Sequence, residues 1–484
     1  MAWSESKEGG ADTRWLLLLL FSGLLIRLVA FDRSLWVDEA ISLEMTTSWG
    51  QVLESSRPRV NPPLYYLLLR GARLLLTSPT ALRLVSLPFG LLSLFFIWKA
   101  ARLRGGTAVG LIALILAIFS PTHIRYSVEL RPYAMLLGLS AASIYFFFRV
   151  LSGGSDRDRI AFAAATTLNI YTHYFAFLLY VPQALFLLLG CGGEPRARWR
   201  NLLTTVLPAL LFLPWAGPAA GFAKGVVPGA EPPPGPPPHV LFVLTLSRVF
   251  IGFSGGKALS FVLTSIVLLV GIVRVRARPR LGGFVDAVLL LFPVALIAFL
   301  QPRKAIEPRH FLVLFPLWIA LVAGGLEVLG RTAGQRLGTR GRRAALVAAA
   351  LLPLALLLHP RERPPIWVRS DKWTDLCRVL SERVRAEDGL ISAPEDYTVR
   401  KLLLPRAEPH IAEKLQESFR AGLDHARPFE RIPERIERLW VIVVGKGPRS
   451  MQFWDALEPL ASEQEDFRMV ECDVSLFLLE RPPL

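Results

Sequence analysis

The chain has 484 residues, of which 52% are hydrophobic and only 19% charged, with a formal net charge of +16. A mean hydropathy of +0.42 excludes an all-soluble protein of two or three domains. The excess of Arg and Lys falls in short clusters between apolar runs, which excludes the contiguous basic surface that nucleic acid as a partner requires.

A helix crossing a hydrocarbon core of about 30 Å needs roughly 20 mostly apolar residues. After a tail of residues 1–14, runs of that kind predict eleven spans: 15–31, 80–98, 106–122, 133–150, 160–172, 174–190, 202–218, 258–273, 284–300, 311–329 and 344–358. Ile26 to Phe31 contains no small-residue cleavage site, so the first run reads as an uncleaved anchor. With the N-terminus inside, every predicted inner loop is basic: Lys99, Arg102 and Arg104; Arg157 and Arg159; Arg196, Arg198 and Arg200; Arg274 to Arg280; Arg331 to Arg343. Cytoplasmic loops retain positive charge, so the chain reads as a multi-pass protein of a bacterial cytoplasmic membrane with its C-terminal domain outside. The preference for Arg over Lys points to a GC-rich bacterial genome.

The first outer loop, about residues 32–79, is long enough to carry two surface helices. One starts near Trp36, the other at Pro62-Pro63 and runs through Leu69. A second outer segment contains Glu231 to Pro238, whose prolines resist helix and sheet and make a linker or lid. Residues 359–484 change to mixed charge and predict an α/β domain. Strands are expected over Leu439–Val444 and Ser475–Leu479, with helices over Trp373–Arg385 and Ser450–Ser462. Gly445-Lys446-Gly447 lacks the spacing of a phosphate-binding loop and reads as a turn. Cys191, Cys377 and Cys472 give neither a disulfide framework nor a metal-ligand spacing; Cys377 and Cys472 are either a pair or two isolated buried thiols.

Four polar clusters stand at outer ends of spans. In Leu35-Trp36-Val37-Asp38-Glu39-Ala40 the adjacent carboxylates are either a prepared general base or a solvated pair at a helix N-terminus. Arg125-Tyr126-Ser127-Val128-Glu129-Leu130-Arg131-Pro132-Tyr133 sets two arginines about one carboxylate, as a local ion network or as an anion site with a carboxylate beside it. Arg303, Lys304 and Arg309, with His310, place cations against the usual charge bias, where guanidinium forks suit phosphate and snorkelling to headgroups is the alternative. Tyr171-Thr172-His173-Tyr174 carries a lone His among aromatics, read as a headgroup or loop contact. No metal is assigned and no cofactor is expected, although a divalent metal is compatible with the chemistry. Together the clusters suit attack on a sugar whose leaving group is a lipid-borne phosphate, with a carboxylate taking the acceptor's proton and cations neutralising the departing phosphate. A polyprenyl-linked glycan flippase or transporter would show internal repeats with broken helices at the midplane, whereas the ionisable groups here gather at the outer ends, which disfavours transport. A non-catalytic membrane scaffold is the remaining alternative.

The order WVDEA, NPPLYYLLLR, YSVELRPYAM, YTHYF and EPRHFLVLFP resembles the GT-C superfamily of glycosyltransferases, in the branch of bacterial protein mannosyltransferase-like and aminoarabinose transferase-like enzymes. The resemblance covers roughly residues 12–358; the tail is similar to the extracytoplasmic α/β domain of some members. It implies a mostly α, polytopic fold and inverting transfer of a hexose or pentose from a polyprenyl-phosphate donor to a lipid, glycan or protein acceptor. It further implies Asp38 as the acceptor-activating base, Glu39 in support and Glu129 as the second acidic residue. Arg125, Arg131, Lys304 and Arg309 become donor-phosphate contacts, and Tyr65 and Tyr133 line the cleft. Asn61, placed among the substrate-binding residues, stands where many members have His before the paired prolines, so a metal or acceptor role of that His does not carry over to it.

Overall fold

A computed structural model of the protein describes residues 10–31, 35, 37–56, 61–189, 197–220, 237–253, 265, 267–270, 282–300, 308–358, 372–393, 403, 407–421, 436–444, 455, 457–468 and 473–480. In chain order the helices are α1 (Gly10–Val29), α2 (Val37–Met45), α3 (Trp49–Ser56), α4 (Leu64–Ala72), α5 (Pro79–Leu82), α6 (Leu87–Gly105), α7 (Thr107–Ile118), α8 (Pro121–Ser127), α9 (Tyr133–Leu151) and α10 (Asp156–Thr172). They continue with α11 (Phe177–Leu188), α12 (Ala197–Phe212), α13 (Pro238–Phe253), α14 (Gly282–Leu300), α15 (Phe315–Leu358), α16 (Lys372–Arg383) and α17 (Pro409–Ala421). The chain divides into two compact units, residues 1–30 with 45–359 and residues 31–44 with 360–484.

Among the described residues, the regular elements of the larger unit are helices. Leu94, Ile97, Trp98, Leu114, Ile118, Leu136, Phe147 and Phe162 are buried in one continuous apolar core. Local chemistry fixes the helix starts: Ser155 and Asp158 form a reciprocal capping box at α10, and the Ser120 hydroxyl accepts from the His123 N–H at α8, with Pro121 in the first turn. Gly138 lets α9 approach α6 closely, since an added Cβ would stand 2.7 Å from the Phe89 carbonyl oxygen.

Among the described residues, four helical segments are long and apolar enough to cross a membrane: Pro79–Gly105, Tyr133–Leu151, Trp199–Ala220 and Pro308–Gln335. A fifth is broken, Thr107–Ile118 and Pro121–Ser127 meeting at 66°. That break replaces the straight helix expected over 106–122, because Ser120-Pro121 starts a new helix instead of ending the old one. The two predicted spans 311–329 and 344–358 lie on a 3-10 turn, Pro308–Leu314, followed by α15, which is interrupted at Gly338 with φ 68°. Most of the predicted span 258–273 and the proline run 231–236 lie outside the described residues.

The smaller unit holds a four-stranded sheet of order β1-β2-β4-β3: β1 (Gly389–Ala393), β2 (Arg438–Val444), β3 (Ala461–Arg468) and β4 (Asp473–Glu480). β1 runs parallel to β2, and β4 is antiparallel to both β2 and β3. Alternation along β2 and β4 sorts the two faces. Trp440, Ile442, Leu476 and Leu478 pack with Leu376, Leu380, Ile411 and Leu415 of α16 and α17, while Leu439, Val441, Phe477 and Leu479 pack with Leu457. Leu35 and Ala40 join the first of these clusters, so the residues just after α1 pack with the C-terminal domain. Of the helix expected over Ser450–Ser462, Asp455 and Leu457 are helical and residues 450–454 and 456 lie outside the described residues; its end is corrected, since residues 458–460 form a 3-10 turn and β3 begins at Ala461. Cys377 is a buried free thiol, and Cys191, Cys472 and Gly445 to Gly447 lie outside the described residues.

Candidate functional site

The break before α8 brings the first polar cluster together. Arg125 and Glu129 lie four residues apart, and the Arg125 Nε–H donates to Glu129 Oε1 at 3.1 Å. The carboxylate is wholly buried beneath a guanidinium that keeps 30% of its exposure. The Glu129 backbone oxygen accepts from the Ser86 hydroxyl at 2.5 Å, and Tyr65 Oη lies 2.9 Å from the same hydroxyl. This relay fastens α4, which presents Tyr65 and Tyr66 inward, to the Glu129 segment. Arg131 donates to Tyr66 Oη at 3.4 Å and lies 5.8 Å from the Tyr133 ring; Tyr126 meets Tyr133 edge-on at 5.1 Å.

From Tyr133 an aromatic row leads across three elements. His173 lies 5.9 Å from Tyr133 and 5.2 Å from Phe175, and Phe175 stacks on His310 at 4.8 Å. Arg309 and Arg131 both act electrostatically on His173 and His310, and Arg309 acts on Tyr126 as well. Burial first, then His310, Arg131 and Arg309, hold the His173 imidazole well below its ordinary value, so it is neutral at physiological pH. Three guanidiniums and one carboxylate in a tyrosine-lined setting form an anion-receptive surface, and guanidinium forks match phosphate oxygens. Among the described residues no group of three or more His, Cys, Asp or Glu is arranged to hold a metal ion.

The sequence model of the dolichyl-phosphate-mannose-protein mannosyltransferase family matches residues 60–217, a stretch that contains the Arg125 to Tyr133 cluster, α4 and His173. Two crystal structures of ArnT from Cupriavidus metallidurans, one apo and one bound to undecaprenyl phosphate, each align with TM-score 0.54 over 96% of this chain and 98% of the other, at 15% identity. The chain has a GT-C glycosyltransferase fold. No curated protein matches its sequence.

In this GT-C fold, Tyr65, Arg125, Glu129, Arg131, Tyr133, Arg309 and His310, expected from separate motifs, occur in one helical unit and are linked by the contacts above. Asn61 is buried just before the helix that carries Tyr65. Asp38 and Glu39 occupy the first turn of α2 in the smaller unit, Asp38 half-buried and Glu39 buried, with the Asp38 carbonyl accepting from the Ser42 hydroxyl at 3.0 Å. Lys304 lies outside the described residues. Tyr66, Tyr126 and Phe175 were not anticipated as members of the cluster. Each adjoins or nearly adjoins a motif residue, but whether an aromatic beside a charged group lines a site or a helix interface depends on which way its helix turns. His173, read from sequence as a loop contact, sits in the middle of the row.

Proposed function

We propose that the protein is a membrane glycosyltransferase that moves a monosaccharide from a polyprenyl-phosphate donor to an extracytoplasmic lipid, glycan or protein acceptor, with inversion. The observation that carries this reading is the gathering of Arg125, Arg131 and Arg309 near Glu129 and the tyrosines. ArnT, which shares the fold, has been crystallised with undecaprenyl phosphate, a ligand of the proposed class. In the proposed reaction the Asp38 carboxylate takes the acceptor's O–H proton, with Glu39 in support. The acceptor oxygen bonds to the anomeric carbon from the face opposite the phosphate. The carbon–oxygen bond to phosphate breaks with its electron pair passing to that oxygen, and Arg125, Arg131, Lys304 and Arg309 neutralise the departing polyprenyl phosphate. Glu129 orients Arg125 and serves as the second acidic group, while Tyr65 and Tyr133 line the cleft. The proposed setting is a bacterial cytoplasmic membrane, N-terminus inside and C-terminal domain outside.

The test is release of polyprenyl phosphate by purified protein from a panel of polyprenyl-phosphate hexoses and pentoses. Wild type is expected to turn over at least one donor, and Asp38→Asn to lose activity by about 10²–10⁴-fold, the range of a general base, at unchanged melting temperature. Silence of the wild type across the panel overturns the reading, and full turnover by Asp38→Asn removes Asp38 from the base role.

A further inference from the structure

α8 is seven residues long and leaves α7 at 66°. So short a helix does not hold its own direction, yet its last turn carries Arg125, and Glu129 follows directly after it. The residue that fixes it from within is His123, in its first turn and wholly buried. Arg27 Nη2 lies 2.7 Å from His123 Nδ1, and Ser93 Oγ lies 2.5 Å from His123 Nε2. A guanidinium only donates, so Nδ1 is the acceptor, the ring is neutral and its Nε2–H donates to Ser93. The Ser93 hydroxyl in turn donates to the Gly90 carbonyl oxygen at 2.8 Å. Every bond in this chain runs one way, from α1 through α8 to α6.

Arg27 stands in the last turn of α1, the predicted first span, and is also wholly buried. Its Nη1 donates to the Gly23 carbonyl oxygen at 2.9 Å, and its Nη2 lies 3.5 Å from the Ala117 carbonyl oxygen in the last turn of α7. Among the described residues its Nε–H has no partner and no carboxylate pairs with it. One guanidinium thus touches both limbs of the bend, the carbonyl end of α7, where a cation is favoured, and the first turn of α8. Joining helices in an apolar bundle does not require a buried charge, since apolar packing of like volume does it as well, so a charge kept here has work to do.

That work is legible in what α8 carries. Its outer end is tied separately, through the bond from Ser86 to the Glu129 carbonyl oxygen. Between the two ties α8 lies against α6 so closely that a Cβ added at Gly90 would stand 2.7 Å from the Ser127 Cβ. With both ties α8 has one direction; with the outer tie alone it can tilt about Glu129 and take Arg125 with it.

We propose that Arg27 and His123 are positioning residues, whose bond holds α8 across the bend and keeps Arg125 aimed at the donor phosphate. The inference rests on the reading of the arginine cluster as the donor-phosphate site. Both residues are sealed inside the bundle and act on the phosphate through Arg125.

The experiment is a mutant cycle read by equilibrium binding of farnesyl phosphate to the full-length protein in nanodiscs. Arg27→Met with His123→Phe replaces the buried polar pair by apolar groups of similar size, a change that leaves stability nearly intact. This double variant is expected to keep its melting temperature and to bind farnesyl phosphate about ten-fold more weakly, the range for a lost hydrogen bond to a charged group. Arg125→Ala is expected to lose a similar factor. Added to Arg125→Ala, the double change is expected to cost no more than about two-fold further, because it has nothing left to aim. General damage to the bundle would weaken binding by the same factor with or without Arg125, and that result overturns the proposal. Wild-type affinity in the double variant, or in Arg125→Ala, overturns it too. Should the double variant not fold, Arg27→Gln, whose shorter amide cannot span both limbs, carries the same cycle. If wild type binds farnesyl phosphate and turns donor over while the cycle fails, only Arg27 and His123 lose their role; if wild type binds none, the donor-site reading falls and the proposal with it.

Discussion

Arg131 is held by two different contacts, a hydrogen bond to Tyr66 and the face of Tyr133, and both use the flat guanidinium. A lysine keeps the charge but loses the fork and the stacking plane. Arg131→Lys is therefore expected to lower the kcat/KM for donor about ten-fold or more, measured by release of polyprenyl phosphate, with little change in melting temperature. His173 gives a pH signature separate from catalysis. Its folded value lies well below 6.5 because it is buried among cations. Above 6.5 both folded and unfolded states leave it neutral and it adds no slope. Below 6.5 the unfolded chain takes up a proton that the folded chain refuses, so stability falls with falling pH by up to about 1.4 kcal/mol per unit until the folded value is reached. The melting temperature of wild type is expected to drop more steeply than that of His173→Asn between pH 7 and pH 5; parallel curves would show that His173 is not buried neutral.

Helix contacts place these side chains, and Gly138 is among the tightest of them. A Cβ there would meet the Phe89 carbonyl oxygen at 2.7 Å, and a backbone atom cannot swing aside as a side chain does. Gly138→Ala is expected to destabilise the protein by about 1–3 kcal/mol through overpacking, read as a lower melting temperature, and to reduce donor turnover because α9 begins at Tyr133. Not every element of this kind announces itself in sequence. β2 and β4 were legible because LWVIVV and SLFLL are apolar, β-branched or aromatic runs bounded by turn residues. β3, Ala461–Arg468, was not: its sequence ASEQEDFR is polar, and it is a strand only because β4 offers it a partner. β1 is five residues long and α17 begins at a proline followed by mixed charge, so neither shows a period over enough turns. The bend before α8 was legible in principle, since Ser120-Pro121 is a cap followed by a first-turn proline, but the apolar run across it gave the stronger signal.

At the scale of the molecule, the candidate site was legible as four clusters, each readable either as an anchor or as part of a site, and the helical unit brings Arg125, Arg131, His173 and Arg309 together. Asp38 and Glu39 belong to the other unit, so their part rests on the mutational test. Arg104 shows the opposite case: counted as a topology signal, it also forms a buried ion pair with Asp286 of α14 and lies 4.2 Å from the Phe148 ring. Asp286→Asn strands that guanidinium and is expected to cost about 3–5 kcal/mol, seen as a lower melting temperature that Arg104→Met partly restores in the double variant. The proposed orientation is testable on the same helices. Tyr133–Leu151 is 19 residues long, about 28 Å as a helix, so Arg131 at its start and Arg157 after its end face opposite sides of a bilayer. The preceding span Pro79–Gly105 ends in Arg102 and Arg104 and begins beside exposed Thr77. In the orientation proposed above, Arg102, Arg104 and Arg157 stand on the cytoplasmic side, in line with the positive-inside bias. In a cysteine-free background, Thr77→Cys is expected to react with a membrane-impermeant maleimide on intact spheroplasts, and Arg157→Cys only after the membrane is opened. The reverse pattern would put Arg125, Arg131 and Arg309 on the cytoplasmic face and with them the donor phosphate.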